Sequence, residues 1–222
     1  HLGPTLILMG TGLAISMILA VMAGIYAAVH QHTKHDYAIV SFAFLGQSIP
    51  GFFLALLLVY IFSVYLGWLP SSGMRRLGTV GNGVQFSYLL LPAIVLAFSQ
   101  VGNNIRYIRS SMLEILHKEF MRTLKGKGIS RWRIIYIHGL RNALVPIITV
   151  FGMEIPSLFG GSIIVEQIFS WPGLGLMTMN AVLARDVPVI MGMCLLSAVA
   201  VLTGNLITDI LYALADPSIR LS

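Results

Sequence analysis

The 222-residue chain is 57% hydrophobic and only 10% charged, with 14 Lys and Arg against 8 Asp and Glu for a formal charge of +6. A soluble domain carries roughly a quarter charged residues, so this chain lacks the polar surface of a water-soluble fold, and its apolar content excludes intrinsic disorder. In a soluble protein the basic excess would suggest nucleic acid as a partner, but in a chain dissolved in lipid it marks cytoplasmic loops, so no nucleic-acid partner is expected. The single cysteine, Cys194, permits neither an internal disulfide nor a thiolate metal site and reads as a small apolar helix residue.

A helix needs about 20 apolar residues to cross the hydrocarbon core. The chain opens at His1 and turns apolar at once, which predicts an upstream portion outside this numbering. The first predicted span is Pro4 to Val29. His30, His32 and His35 follow; a metal site is one reading, but only Asp36 stands near them as a further ligand, and solvated loop histidines are preferred. Tyr37 to Met74 is charge-free and holds Pro50, predicting one long, kinked helix to about Leu66 and an interfacial turn from Gly67 to Gly73. Leu77 to Ile105 predicts a loop and then a third span from about Tyr88. A fourth is expected from Asn142 to Val165, with Glu154 inside it, and a fifth from Val187 to Thr208. Glu166 to Arg185 is too short and too broken at Trp171-Pro172-Gly173 for a crossing, and predicts a re-entrant or interfacial element. Continuous apolar runs favour five helices over a β-barrel. The expected fold class is therefore an all-α membrane protein, read as one transmembrane domain over residues 1–222.

Nine of the 14 basic residues lie between Arg106 and Arg141. Placing that loop in the cytoplasm also brings Lys34 and Arg220 inside and leaves only Arg75, Arg76 and Arg185 outside, as the positive-inside rule requires. No phosphate loop is present, since Gly126, Lys127 and Gly128 lack its spacing, and no H-E-x-x-H or G-x-S-x-G occurs. Energy must come from a partner or an ion gradient.

From Glu114 the loop has helical spacing to Lys125, a break at Gly126 and Gly128, and a second helical pattern from Ser130. Such a short helix suits docking into a groove on another protein, while a solvated face or a lipid-headgroup anchor fits the pattern equally. Within spans, Glu154 should face the bundle interior or water, because a mid-bilayer carboxylate costs about 2.5 to 3.5 kcal/mol. Together with Gln47, Ser48, Asn103 and Asn104 it is a candidate for a translocation path; a helix-packing hydrogen bond is the alternative. Glu166, Trp171, Arg185 and Asp186, around the re-entrant element, are candidates for an outer gate, against plain snorkelling at the bilayer surface.

The segment Arg122-Thr123-Leu124-Lys125-Gly126-Lys127-Gly128, followed by His138-Gly139-Leu140-Arg141-Asn142-Ala143 and Pro146, resembles the cytoplasmic coupling loop of ABC importer permeases of the peptide/nickel family, in the variant of the B-type subunit of oligopeptide and dipeptide systems. Gly67-Trp68-Leu69-Pro70, Arg109 to Glu114, Phe169 to Gly175, Arg185-Asp186-Val187-Pro188 and the tail Asp216-Pro217-Ser218-Ile219-Arg220 match as well, so the resemblance covers essentially the whole chain. Leu124 and Gly126 depart from the usual alanines without altering the spacing.

The resemblance implies a type I ABC importer fold whose family core has six helices, the first lying upstream here, and a coupling loop at about 109–133. It implies pairing with a second homologous permease, two ATP-binding subunits that hold the ATP and magnesium, an extracytoplasmic substrate-binding protein, a peptide substrate and a bacterial cytoplasmic membrane; no cofactor is expected in this chain. A loop helix from Lys118 to Gly128 would sit in an ATPase cleft, with Glu119 paired to Arg122, Gly128 making the turn, and Thr123, Gly126 and Arg131 in the coupling surface. Nickel or another small chelate is an alternative cargo. An ion-coupled secondary transporter, with Glu154 and Asp209 as a proton relay, is an alternative class.

Overall fold

The computed structural model describes residues 1–76, 83–160 and 162–215, and all regular structure among them is helical. α1 (Leu2–Val29) is charge-free over 28 residues. Its end is closed by His30 Nδ1, which donates to the Tyr26 carbonyl at 3.0 Å, and by Thr33 Oγ1, which donates to the His30 carbonyl at 2.6 Å. α2 (Lys34–Ser48) follows, then α3 (Gly51–Leu58), which runs into a π-helical segment (Val59–Tyr65).

The expected single helix from Tyr37 to Leu66 is thus two helices. Proline at position 50 holds the residue before it out of helical geometry, and Pro50 itself adopts φ −58° and ψ 134° as the N-cap of α3, so the chain breaks instead of kinking. The turn predicted after it is present, with Gly67 at φ 65° and Gly73 at φ 93°.

α4 (Phe86–Leu116) is 31 residues long, or about 46 Å, and carries its helix well past the predicted limit at Ile105. α5 (Glu119–Gly126) and a short α6 (Arg131–Arg133) lead through a π-helical stretch (Ile134–Gly139) into α7 (Leu140–Glu154). Here the fourth predicted span departs from expectation. The helix stops before Pro156, which has no N–H to continue the ladder, and the rest of that apolar run becomes α8 (Ser157–Gly160) and α9 (Ile163–Ile168). α10 (Leu174–Leu183) and α11 (Val187–Ala215) complete the chain. Among the described residues α1, α4 and α11 are long and apolar enough to cross a membrane, and the α2–α3 pair is a fourth candidate as a broken span. The tail motif Asp216 to Arg220 and the start of the third apolar stretch at Leu77 lie outside the described residues.

Two compact units emerge. Among the described residues, one comprises 1–16, 49–76, 83–99, 154–160 and 162–205; the other comprises 17–48, 100–153 and 206–215. The first has a core of Leu8, Met9, Leu91, Val95, Phe169 and Trp171. The second buries Met17, Ala43, Ile105, Ile108, Met112 and Met121, and holds a buried ion pair: Arg109 Nε and Nη2 donate to Asp36 Oδ1 and Oδ2 at 2.6 and 2.7 Å, with Asp36 only 2% exposed.

Candidate functional site: an amphipathic loop helix, a polar patch and a buried carboxyl

α5 begins after Lys118, which is extended at φ −67° and ψ 147°, and ends where Gly128 takes φ 74°, a conformation a Cβ disfavours. Ser130, again extended, starts the next helix. Met121 is buried, while Glu119, Thr123, Gly126 and Arg131 are exposed. At 100° per residue, Met121, Arg122 and Lys125 share one face, and Phe120, Thr123 and Lys127 share the opposite one. Arg122 donates to Glu119 at 3.1 Å, an exposed pair that orients side chains and adds little stability. Lys118 pairs with Glu114 at 3.5 Å.

Of the polar residues predicted to line a path, the structure joins Gln47 to Asn103: the Gln47 amide donates to Asn103 Oδ1, which also accepts from Arg106 Nη2 at 2.7 Å, and the Arg106 guanidinium lies 4.5 Å from the centre of the Phe44 ring. Both Gln47 and Asn103 are exposed. Ser48 donates to the Phe44 carbonyl of its own helix. Asn104 is buried and turned toward Met17. Glu154 is half-buried at the last position of α7.

The residues predicted for an outer gate separate into two environments. Glu166 and Trp171 are both fully buried, at 0% exposure. Glu166 Oε1 accepts from Thr5 Oγ1 at 3.0 Å, and Oε2 accepts from the Leu176 N–H at 3.0 Å. Thr5 Oγ1 in turn accepts from the Leu174 N–H at 2.7 Å, so two side chains remote in sequence satisfy the free N–H groups that open α10. Gly173 is required there because a Cβ would fall on the Glu166 carboxyl group. Trp171 Nε1 donates to the Pro4 carbonyl at 2.9 Å, and His1 Nδ1 to the Pro172 carbonyl at 2.7 Å. Burial raises the Glu166 pKa above its ordinary value, against the hydrogen bonds from Leu176, Thr5 and Gly175, which favour the ionised form. Arg185 and Asp186 instead occupy the exposed turn between α10 and α11, where Arg185 has φ 56° and Asp186 Oδ1 accepts from the Val189 N–H at 3.2 Å as an N-cap.

Sequence reasoning missed Thr5, Asp36 and Arg109 as a set. Thr5 carries no local signal, since its partner lies 161 residues away. In the sequence Asp36 stands only as a further ligand beside the histidines and Arg109 only within the basic loop; the two lie 73 residues apart, so no local pattern joins them. Among the described residues no cluster of three metal-ligating side chains forms, and His32 instead gives its backbone N–H to Asp36 Oδ2 at 3.0 Å.

Long apolar helices, with a short amphipathic helix following one of them, define a helical membrane protein. The chain belongs to the family of binding-protein-dependent transport system inner membrane components, whose profile matches residues 20–221, and it is a permease subunit of an ABC importer. It is 45% identical over 217 residues to the oligopeptide transport system permease protein AppB of Bacillus subtilis, covering 97% of this chain and 69% of that protein. A putative peptide permease of Brucella ovis is 43% identical, covering 100% and 70%, and the oligopeptide permease OppB of Haemophilus influenzae is 41% identical, covering 93% and 65%. The fold matches the methionine ABC transporter MetNI, solved in inward-facing conformations, with a TM-score of 0.69 over 95% of this chain and 94% of that one, at 14% identity.

Proposed function

We propose that this permease imports oligopeptides or dipeptides across the bacterial cytoplasmic membrane, paired with a second homologous permease, driven by two separate ATP-binding subunits and supplied by an extracytoplasmic binding protein. Its five crossings are α1, the broken α2–α3 pair, α4, the helical run ending in α7, and α11. The peptide cargo is supported by the similarity to AppB and OppB, which are named as oligopeptide permeases. Coupling to an ATPase is supported above all by α5, an eight-residue amphipathic helix whose Met121 is buried while Phe120 and Thr123 face away from it.

On this reading the ATPase grips that outward face, the Glu119–Arg122 pair at its edge holds the helix in register, and the Gly128 turn transmits the movement to the following helices. ATP binding favours one arrangement of the helices only if the grip differs between arrangements. Gln47 and Asn103 supply amide groups suited to a peptide backbone, and Glu154 supplies a carboxylate on the route. The buried Glu166–Trp171 knot holds the outer element that Arg185 and Asp186 present to the binding protein. The test is the intact assembly reconstituted with its binding protein: peptides should stimulate ATP hydrolysis and nickel chelates should not. Stimulation by chelates alone, or uptake without the ATPases, would overturn the assignment.

A further inference from the structure

The inner face of α5 borders a cavity of about 640 Å³ lined by Val29, Leu116, Arg122, Lys125, Ile129 and Arg131 among others, within the common size range of small-molecule sites. Its composition is divided. Three cations stand over a floor of aliphatic side chains, and among the described residues neither Lys125 nor Arg131 has an acidic partner. Val29 is the last residue of α1 and Leu116 the last of α4, so the cavity lies where two membrane-length helices end. Trp132 and Tyr136, next along the chain, are exposed and stack with ring centres 5.5 Å apart, an aromatic pair of the kind that marks a membrane interface.

We propose that this cavity binds the headgroup of an anionic phospholipid of the cytoplasmic leaflet. The phosphate meets Lys125 and Arg131, the first acyl carbons lie on the aliphatic floor, and the lipid props the inner face of α5 while the outer face stays free for the ATPase. Placement in the cytoplasmic leaflet rests on the function proposed above. A peptide or acidic protein segment is disfavoured because the site combines few cations with an oily floor at the level where lipid is already concentrated, and anionic lipid is attracted to basic groups there.

The experiment places the intact importer in phosphatidylcholine nanodiscs containing a trace of photoactivatable phosphatidylglycerol and maps the crosslinks. Labelling should concentrate on the segments around Val29, Leu116 and Ile129, and the double variant Lys125→Gln with Arg131→Gln should lower it on the order of tenfold. Excess unlabelled phosphatidylglycerol should compete, while phosphatidylcholine and free glycerol phosphate should not; this comparison on the unmodified protein decides the question even if the variant fails to assemble. Equal competition by phosphatidylcholine, competition by glycerol phosphate, undiminished labelling of an assembled variant, or a cavity crosslinked only to an ATPase subunit would each overturn the proposal. Peptide-stimulated hydrolysis in the same nanodiscs reads the function separately: hydrolysis with an unlabelled cavity removes the lipid site alone, and a labelled cavity without ATPase dependence removes the function alone.

Discussion

A carboxyl without water contact stays in place only while donors surround it, and Glu166 has Thr5 and the opening N–H groups of α10. Glu166→Ala should therefore destabilise the subunit by about 1–3 kcal/mol, because it leaves the Leu176 N–H and the Thr5 hydroxyl proton without their acceptor; thermal unfolding in detergent measures this. Its pKa is raised on folding, so the folded state holds the proton more tightly than the unfolded one. The group's contribution is then fully present below the ordinary value of 4.5 and is lost as pH rises through the higher folded value. Glu166→Gln should flatten that decline, and an unchanged pH profile would show that burial does not govern the group. Asp36→Ala would leave the part-exposed Arg109 guanidinium without its bidentate partner, at a cost of about 1–2 kcal/mol. The exchange of Asp36→Arg with Arg109→Asp should recover part of that loss, which a simple packing role for either residue would not allow.

At the scale of the element, α5 is the segment whose end was most legible. Its end near Gly126 and Gly128 and the renewed pattern from Ser130 match helix, turn and helix in the structure, whereas its start does not: the run expected to be helical from Glu114 is broken after Leu116, where Lys118 is extended. Gly128→Val would force a β-branched residue to φ 74°, at a cost of roughly 1–2 kcal/mol in a turn that has to keep its shape. Uptake should fall at least about tenfold with the subunit still inserted at normal levels; normal uptake would remove α5 from the drive. The broken spans were not legible, because hydropathy counts apolar residues and does not register what a missing N–H does. Pro50 and Pro156 each sit in an apolar run that reads as one crossing, and each divides it.

For the whole molecule, α1, α4 and α11 could be read directly, since length and lack of charge suffice to mark a crossing. The contacts that organise each compact unit could not, because they join residues with no shared local pattern, as Thr5 with Glu166 and Asp36 with Arg109 do. The path residues remain spread among these contacts: Gln47 and Asn103 meet, while Asn104 is buried beside Met17. If Glu154 lies on the route, Glu154→Gln should lower uptake of cationic peptides selectively, while neutral peptides pass as before. Equal loss for both, or loss of insertion, would make it a packing residue.

The Thr5–Glu166 bond also sets a timetable for biosynthesis. At about 5–20 residues per second the ribosome needs roughly 8–32 s to deliver the second partner after the first, across a separation of 161 residues. Until then the leading end of α1 waits in the bilayer without its acceptor. A nascent chain halted before Glu166 should leave that end accessible to membrane proteases, and one extended past Leu176 should close it, so that α1 is secured only long after it has been made.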